Sequence, residues 1–387
     1  MEPQDLRIAL FSGNYNYVRD GANQALNRLV GYLLRQGVKV RVYSPVVDKP
    51  AFPATGDLVN VPSFAIPGRD EYRVPWRLAG AARRDLEAFA PNIVHIASPD
   101  IVAHRAVSWA RHRRIPAVAS IHTRFETYLQ YYHLENLEPV IRGILRRLYT
   151  RCDAIMAPAP STAAILRAQR MNRDISIWAR GVDREQFNPG RRSQAFREAH
   201  GFKPDEMVVA FLGRLVLEKG LDVFADAIDA ARKQGTALRV LAIGDGPARD
   251  FFRDRLPDAV FTGQLTGDKL AEALASADVF LNPSITETFG NVTLEAMACE
   301  LPVLAAAASG ATSLVQDGRT GILVEPGEID QYADALTRYA SDPALRQQHG
   351  AAGLAFAKTM DWDEINGAVL KTYLRVIERR RRLEAMR

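Results

Sequence analysis

Seven residues separate two glutamates in the run Glu287-Thr-Phe-Gly-Asn-Val-Thr-Leu-Glu295. The residues before it, 278–281, read as a short buried strand, and 282–287 form a polar loop. The chain then bends at Gly290 and opens a helical pattern that carries Glu295. At such a junction the first N–H groups of the helix have no intrahelical partner, and the helix dipole adds roughly half a positive charge. A phosphate suits that place. Carboxylates repel phosphate, so two of them at different depths imply hydroxyl groups on either side of it. A diphosphate between two hydroxyl-bearing rings is a nucleotide-sugar, and that is the ligand class the spacing suggests.

Other candidates stand at the ends of apolar runs. Arg214 and Lys219 share the loop Leu212-Gly-Arg-Leu-Val-Leu-Glu-Lys-Gly220, where a planar guanidinium and a compact ammonium can both meet one diphosphate. Gly244 opens the turn Gly244-Asp-Gly246, a glycine requirement that any tight turn shares. Gly263, Gln264 and Leu265 close the next run and could offer backbone groups to a base. In the first half of the chain, Gly21 heads a helical pattern after a loop with Asn14, Tyr15, Asn16 and Tyr17. That loop lacks the glycine fingerprint of dinucleotide sites, although N–H groups at Gly21 could receive a phosphate. His122 ends the run 117–121, where it would point into a cleft if two domains face each other. Asp361-Trp-Asp363 matches the Asp-x-Asp pattern of metal-dependent sugar transferases. It lies at a helix entry away from any strand end, and we read it as capping with an anchoring tryptophan. No other cluster suggests a metal.

The elements that must hold these residues alternate. Strand-like runs at 6–11, 38–43, 93–96, 117–121, 154–156 and 175–178 are separated by helical patterns at 21–35, 77–89, 101–113, 137–150 and 162–169. Short continuous apolar strands between amphipathic helices make βαβ units on a parallel sheet covered on both faces. The pattern breaks near 187–190, where Pro189, Gly190, Gly201 and Pro204 punctuate a link. A second series follows with strands at 208–212, 239–243, 259–261, 279–281, 303–305 and 322–324. The fold class is therefore α/β, two doubly wound Rossmann-like domains facing across a cleft. The boundaries expected are 1–188 for an acceptor-binding domain and 189–363 for a nucleotide-sugar-binding domain. Residues 364–387 form a basic helix returning to the first. In such sheets ligands bind beyond the carboxyl ends of the strands.

Length and composition agree with this reading. At 387 residues the chain exceeds one ordinary core, and 47% apolar with 25% charged residues is globular usage. The acidic start, Met1-Glu-Pro-Gln-Asp5, runs straight into the first strand and predicts no signal peptide. No apolar run approaches the ~18 residues of a bilayer span. Cys152 and Cys299 read as buried free thiols of a reducing cytosol. Net charge is +5 overall, but it is +9 over 1–190, −9 over 191–365 and +5 over the tail. The tail thus matches the first half in sign. Without a nucleic-acid motif, this basic face favours an anionic membrane surface or acceptor over nucleic acid. Arg142, Arg146, Arg147 and Arg151 along the helix at 137–151, with Arg379–Arg382 in the tail, would supply the contact.

With these residues in view, the chain resembles the retaining nucleotide-sugar glycosyltransferases of family 4, which have the GT-B fold. The glutamate pair carries most of the resemblance. It is joined by Gly213-Arg214 with Glu218-Lys219-Gly220, by Gly244-Asp-Gly246 and by Ala179-Arg-Gly-Val-Asp183, in the family's order. Ile96-Ala-Ser-Pro99, His122-Thr123, Tyr128-Leu-Gln-Tyr-Tyr132 and Trp178 look most like GDP-mannose-dependent α-mannosyltransferases and sulfoquinovosyl-diacylglycerol synthases.

The resemblance implies a hexosyltransferase that takes its sugar from GDP-mannose or a UDP-sugar and needs no cofactor or metal. Glu287 would hold the donor sugar, Glu295 the ribose, and Arg214 and Lys219 the diphosphate. Backbone around Phe289, Gly290, Asn291, Thr293 and Leu294 would line sugar and phosphate, and His122 would sit near the reacting carbon. Tyr15, Tyr17, Tyr128 and Arg180 are assigned to the acceptor, a membrane lipid or glycolipid. That makes the expected location cytoplasmic, at the inner face of the cytoplasmic membrane. Asp20 departs from the glycine pair frequent at the first helix. The rival readings are a nucleotide-sugar epimerase or phosphorylase of the same fold, a transferase with a soluble acceptor, and a non-catalytic binding protein.

Overall fold

The computed structural model describes residues 1–66, 69–124, 135–308 and 310–386. Contacts divide it into two units. One takes the described residues up to Arg180 together with the helix from Trp362, and the other is Gly181–Asp361. The breaks fall after Arg180 and Asp361, eight and two residues before the boundaries expected at 188 and 363. The reason is that 181–204 is fastened to the second unit. Ser193 N–H donates to Ser276 Oγ at 3.0 Å, and Arg192 and the buried Arg197 both pair with Asp278, at 2.7 and 3.0 Å.

The strands of the first unit are β1 (Arg7–Phe11), β2 (Lys39–Ser44), β3 (Asp57–Asn60), β4 (Ser63–Ile66), β5 (Arg69–Pro75), β6 (Ile93–Ile96), β7 (Ala117–Ser120), β8 (Ala154–Ala157) and β9 (Ile175–Ile177). Seven of them form a parallel sheet in the order β3-β2-β1-β6-β7-β8-β9, and β4 pairs antiparallel with β5. Its helices are α1 (Gly21–Arg35), α2 (Gly80–Phe89), α3 (Ile101–His112), α4 (Glu138–Tyr149) and α5 (Pro160–Ala168). Alternation along β1 sends Ala9 and Phe11 into the core under α2 to α5, and Ile8 and Leu10 into the core on the opposite face. A strand buried on both sides reads as a continuous apolar run, which is why these central strands are visible in the sequence. The edge strand β3, Asp57-Leu-Val-Asn60, and the hairpin are short and half polar, and the sequence pattern did not reveal them.

The second unit contains α6 (Gln194–Ala199), β10 (Met207–Leu212), α7 (Leu221–Lys233), β11 (Leu238–Ile243), α8 (Arg249–Arg255), β12 (Val260–Gly263), α9 (Gly267–Ala275), β13 (Val279–Asn282), α10 (Asn291–Ala298), β14 (Val303–Ala306), β15 (Gly321–Val324), α11 (Ile329–Ser341) and α12 (Pro343–Ala357). Its six strands are parallel in the order β12-β11-β10-β13-β14-β15. The order reverses between β10 and β13, so the crevice at their carboxyl ends is the topological switch point.

The last helix, α13 (Trp362–Ala385), belongs to the first unit. Val369, Tyr373, Val376 and Ile377 share one face and enter the core that Leu26, Leu29 and Leu33 of α1 also fill. Asp174 pairs with Arg375 and Arg379, Asp153 with Arg380, and Glu378 with Arg382. Part of the basic tail cluster expected to face a membrane is thus paired within the chain: Arg379 and Arg380, with Arg375, tie α13 to the residues that lead into β8 and β9, while Arg382 pairs within the helix. No helix among the described residues is long and apolar enough to cross a membrane. Cys152 and Cys299 are buried free thiols, each pushed up to about 12 by burial.

Candidate functional site

At the switch point of the second sheet three loops close on one another. Gly213 follows β10 and Gly244 follows β11. A Cβ on Gly244 would stand 1.9 Å from the Gly213 carbonyl oxygen, and its φ of +141° also favours glycine. The two strand-end turns pass too closely for any side chain. Gly220 (φ +71°) ends the turn that carries Lys219 and lies against Pro283 of the loop after β13. That loop is fastened from both sides. Asn282 Nδ2 donates to Thr293 Oγ1 at 3.1 Å, and Thr286 Oγ1 donates to the Glu218 carbonyl at 3.0 Å.

These constraints bring two of the expected residues together. The Lys219 ammonium donates to Glu287 Oε1, with side chains 28% and 17% exposed. Arg214 is exposed in the same β10 loop. Gly290 (φ +100°) heads α10, and its carbonyl accepts from the Thr293 and Leu294 N–H groups at 3.0 and 3.2 Å. Asn291 and Val292 are therefore the first N–H groups of the helix, ahead of that bonding. Phe289, Thr293 and Leu294 bury their side chains, so only their backbone can meet a ligand. Glu295 is half-buried in the second turn, close enough to Cys299 for its charge to reinforce the burial that raises the thiol.

Further along the carboxyl edge, Gly263 (φ +72°) ends β12 and its carbonyl accepts from the Gly244 N–H at 3.0 Å. Gln264 is exposed beside it and Leu265 is half-buried. Gly263 to Leu265, Gly244, Arg214 with Lys219, and Glu287 thus follow consecutive strand ends. The row spans three strand spacings of about 4.8 Å each. A residue not singled out in the sequence completes it. A Cβ on Gly310, in the loop after β14, would lie 2.8 Å from the Glu287 carbonyl oxygen and 2.9 Å from its Cβ. Only the glycine lets the Glu287 loop rest there, and nothing in an Ala-rich loop signals such a requirement.

The first unit corrects several expectations. Asp20 N-caps α1, accepting from the Asn23 N–H at 2.8 Å, and bonds the Asn23 side chain as well. The carboxylate occupies the helix end where Gly21 was expected to receive a phosphate. Tyr15 is fully buried with its hydroxyl on the Thr55 carbonyl at 2.7 Å, and Tyr17 donates to the Gly13 carbonyl at 2.6 Å. Both rings pack inward, so neither hydroxyl is placed for an acceptor. Arg180 is buried as well, its Nη1 on the Trp178 and Ala179 carbonyls at 2.7 and 2.9 Å. Its guanidinium lies over the Trp178 ring, and burial lowers its pKa to about 9. His122 follows β7 with both ring nitrogens engaged, Nε2 by Ser120 Oγ and Nδ1 by Arg180 Nη2, each at 2.8 Å. Neither nitrogen is open for proton transfer to a substrate. Tyr128 lies outside the described residues.

Asp361 and Asp363 go to different arginines, Arg184 at 3.6 Å and Arg35 at 2.6 Å, while Arg28 lies over the Trp362 ring. This is an anchored helix entry. Among the described residues no three His, Cys, Asp or Glu side chains gather as a metal site.

Residues 206–342 match the family model described as "Glycosyl transferases group 1", and 19–186 match "Glycosyltransferase Family 4". The GDP-mannose-dependent alpha-mannosyltransferase of Mycolicibacterium smegmatis is 31% identical over 97% of this chain and 99% of its own length. The sulfoquinovosyl transferase SQD2 of Arabidopsis thaliana is 32% identical over 94% of this chain and 73% of its own. Among solved structures, sucrose-phosphate synthase from Thermosynechococcus elongatus superposes with a TM-score of 0.76 at 20% identity, covering 96% of this chain and 99% of that one. WaaG, a glycosyltransferase involved in lipopolysaccharide biosynthesis, gives 0.71 at 19%, covering 95% and 99%. Two parallel-sheet Rossmann-like units, the strand-end motifs and these full-length relatives agree: the chain belongs to the glycosyltransferases of the GT-B fold.

Proposed function

We propose that this protein moves a hexosyl group from a nucleoside-diphosphate sugar to a hydroxyl of a membrane lipid or glycolipid, with retention at the anomeric carbon. The observation that carries the reading is the meeting of Lys219 and Glu287 at the switch point, beside the N-terminus of α10. A cation, a helix N-terminus and a carboxylate at one strand end suit a diphosphate joined to a polyhydroxylated ring.

In this scheme the acceptor oxygen bonds to the anomeric carbon on the face from which the diphosphate departs. The bond from that carbon to the phosphate oxygen breaks, and the departing phosphate takes the acceptor's proton. Arg214, Lys219 and the first N–H groups of α10 stabilise charge gathering on the leaving group, which is the kind of contribution that usually dominates. Glu287 holds sugar hydroxyls, and Glu295 the ribose.

The lipid acceptor is supported by the surface of α4. Leu137, Val140 and Ile144 recur at helical spacing and are 47%, 58% and 47% exposed, with Arg146 and Arg147 exposed beyond them. An apolar stripe flanked by arginines suits an anionic bilayer surface, where each basic residue contributes about 1 kcal/mol.

The test is a screen of GDP- and UDP-hexoses with diacylglycerol, ceramide and phosphatidylinositol-type lipids in vesicles. Acceptor-dependent release of nucleoside diphosphate is expected. Conversion of a donor without any acceptor would replace transfer by epimerisation.

A further inference from the structure

The outer face of α4 changes character along its length. Leu137, Val140 and Ile144 are exposed at helical spacing, and the same spacing continues to Arg147 in the last turn and to Arg151 just past the helix end. The stripe is apolar where it starts and cationic where it finishes. Its cationic end meets α3. Arg111 Nη1 donates to the Arg151 carbonyl at 3.3 Å, and Arg151 Nη2 donates to Ser108 Oγ at 2.7 Å. Arg111 and Arg147 are exposed, while Arg151 and His104 are half-buried.

No carboxylate answers this gathering of charge. The acids of neighbouring segments serve other arginines: Glu138 pairs with Arg142 at 3.4 Å, Glu87 with Arg113 at 3.2 Å, and Asp153 with Arg380 of α13 at 2.5 Å. Among the described residues Arg111, Arg147 and Arg151 form no ion pair. The cations act on one another instead. Burial, Arg111 and Arg147 lower the pKa of Arg151, and burial, Arg151 and Arg147 lower that of His104. A helix C-terminus favours a cation, which accounts for Arg111 and Arg147 each on its own helix. It does not account for three guanidiniums brought together from two helices, because like charges at close range repel. An anion among them would remove that repulsion.

We infer that Arg111, Arg147 and Arg151 form a site for the phosphomonoester headgroup of a bilayer lipid, beside the apolar stripe of α4. The inference rests on the reading of α4 as the lipid-facing surface and goes further by naming the headgroup. A phosphomonoester carries about −1.5 to −2 charges near neutral pH and presents three outward oxygens. A phosphodiester has a single charge and two free oxygens. Guanidinium forks take phosphate oxygens in pairs, with a geometry that an ammonium lacks. Three forks from two helices therefore suit the monoester in charge and in number of oxygens. Continuity with Val140 and Ile144 on the same face favours a lipid over a soluble phosphate, since acyl chains need an apolar neighbour and a free phosphate does not.

The experiment measures binding of the full chain to phosphatidylcholine vesicles that carry either phosphatidic acid or phosphatidylglycerol, matched in zeta potential. The wild type is expected to bind the phosphatidic acid vesicles on the order of tenfold more tightly, roughly the worth of one or two basic residues at a membrane surface. Arg147→Lys with Arg151→Lys keeps the charge and removes two forks, so it should retain phosphatidylglycerol binding and lose the preference. Arg147→Ala, at an exposed position, should reduce the preference several-fold and serves if the double variant folds poorly. Equal wild-type binding to the two vesicle types would overturn the headgroup assignment and leave the bilayer-facing surface standing. Binding to neither would overturn both. An undiminished preference in the variants would overturn the assignment to these arginines. Release of the protein from phosphatidic acid vesicles by equimolar glycerol 3-phosphate would overturn the lipid source in favour of a soluble phosphate.

Discussion

Lys219 and Glu287 are bonded to each other across the switch point of the second sheet, one from the loop after β10 and the other from the loop after β13. The cation proposed to meet a diphosphate and the acid proposed to meet sugar hydroxyls thus pair with one another. On the proposed reading a donor would part them, each group exchanging one charge-assisted contact for another.

This relationship separates the glutamates experimentally. Glu287→Gln removes the charge that faces Lys219 and should tighten binding of the bare nucleoside diphosphate several-fold, while turnover of the nucleotide-sugar falls by tenfold or more, roughly the loss of one hydrogen bond to a charged group. Glu295→Ala should weaken donor binding instead, because ribose contacts are shared by ground and transition states. Calorimetric titration with UDP and GDP, alongside kcat, distinguishes the two. A Glu287→Gln protein that binds the diphosphate more weakly would show that the pair does not compete with the ligand.

Gly310 should tolerate no side chain. In Gly310→Ala the new methyl would meet the Glu287 backbone at under 3 Å, and the loop carrying Glu287 must shift. Loss of turnover approaching that of Glu287→Ala is expected with a melting temperature lowered only slightly, since the clash lies in a loop. An alanine variant as active as wild type would mean that this loop moves freely without consequence.

Much of the second unit could be read from the sequence, because strand ends in a doubly wound sheet fix where loops must emerge. Arg214, Lys219 and Glu287 follow central strands whose unbroken apolar runs announce them. The first unit was less legible. Tyr15, Tyr17 and Arg180 lie near the right strand ends, but sequence does not say which way a side chain turns, and these turn inward onto backbone carbonyls. The Asp20 cap could be read as a capping residue, whereas its occupation of the α1 end depends on Asn23. Gly310 matters through a contact with a loop on a neighbouring strand, which no local pattern encodes.

Activity should need no divalent metal. On the proposed reading Arg214, Lys219 and the α10 N-terminus would provide the positive charge that a leaving diphosphate requires. Full rates are expected after EDTA treatment and desalting. Loss of activity restored by magnesium or manganese would contradict this and return attention to Asp361 and Asp363.

Membrane attachment should depend on α4 more than on the tail, because Arg379, Arg380 and Arg382 are already paired. Val140→Asp with Ile144→Asp should abolish co-sedimentation with anionic vesicles, whereas Arg381→Ala should change it little. Wild-type binding should weaken with added salt, as surface electrostatics do. Equal recovery with neutral and anionic vesicles, or none with either, would favour a soluble acceptor.

The most direct measurement follows the anomeric proton by NMR while the wild-type protein acts on GDP-mannose, and separately on UDP-hexoses, with acceptor lipid in anionic vesicles. The expected result is loss of the donor's α-anomeric signal, matched by a new α-linked signal in the lipid fraction and an equal amount of nucleoside diphosphate. A β-linked product would contradict retention. No consumption of any donor, under conditions where UDP or GDP binds, would contradict transfer itself.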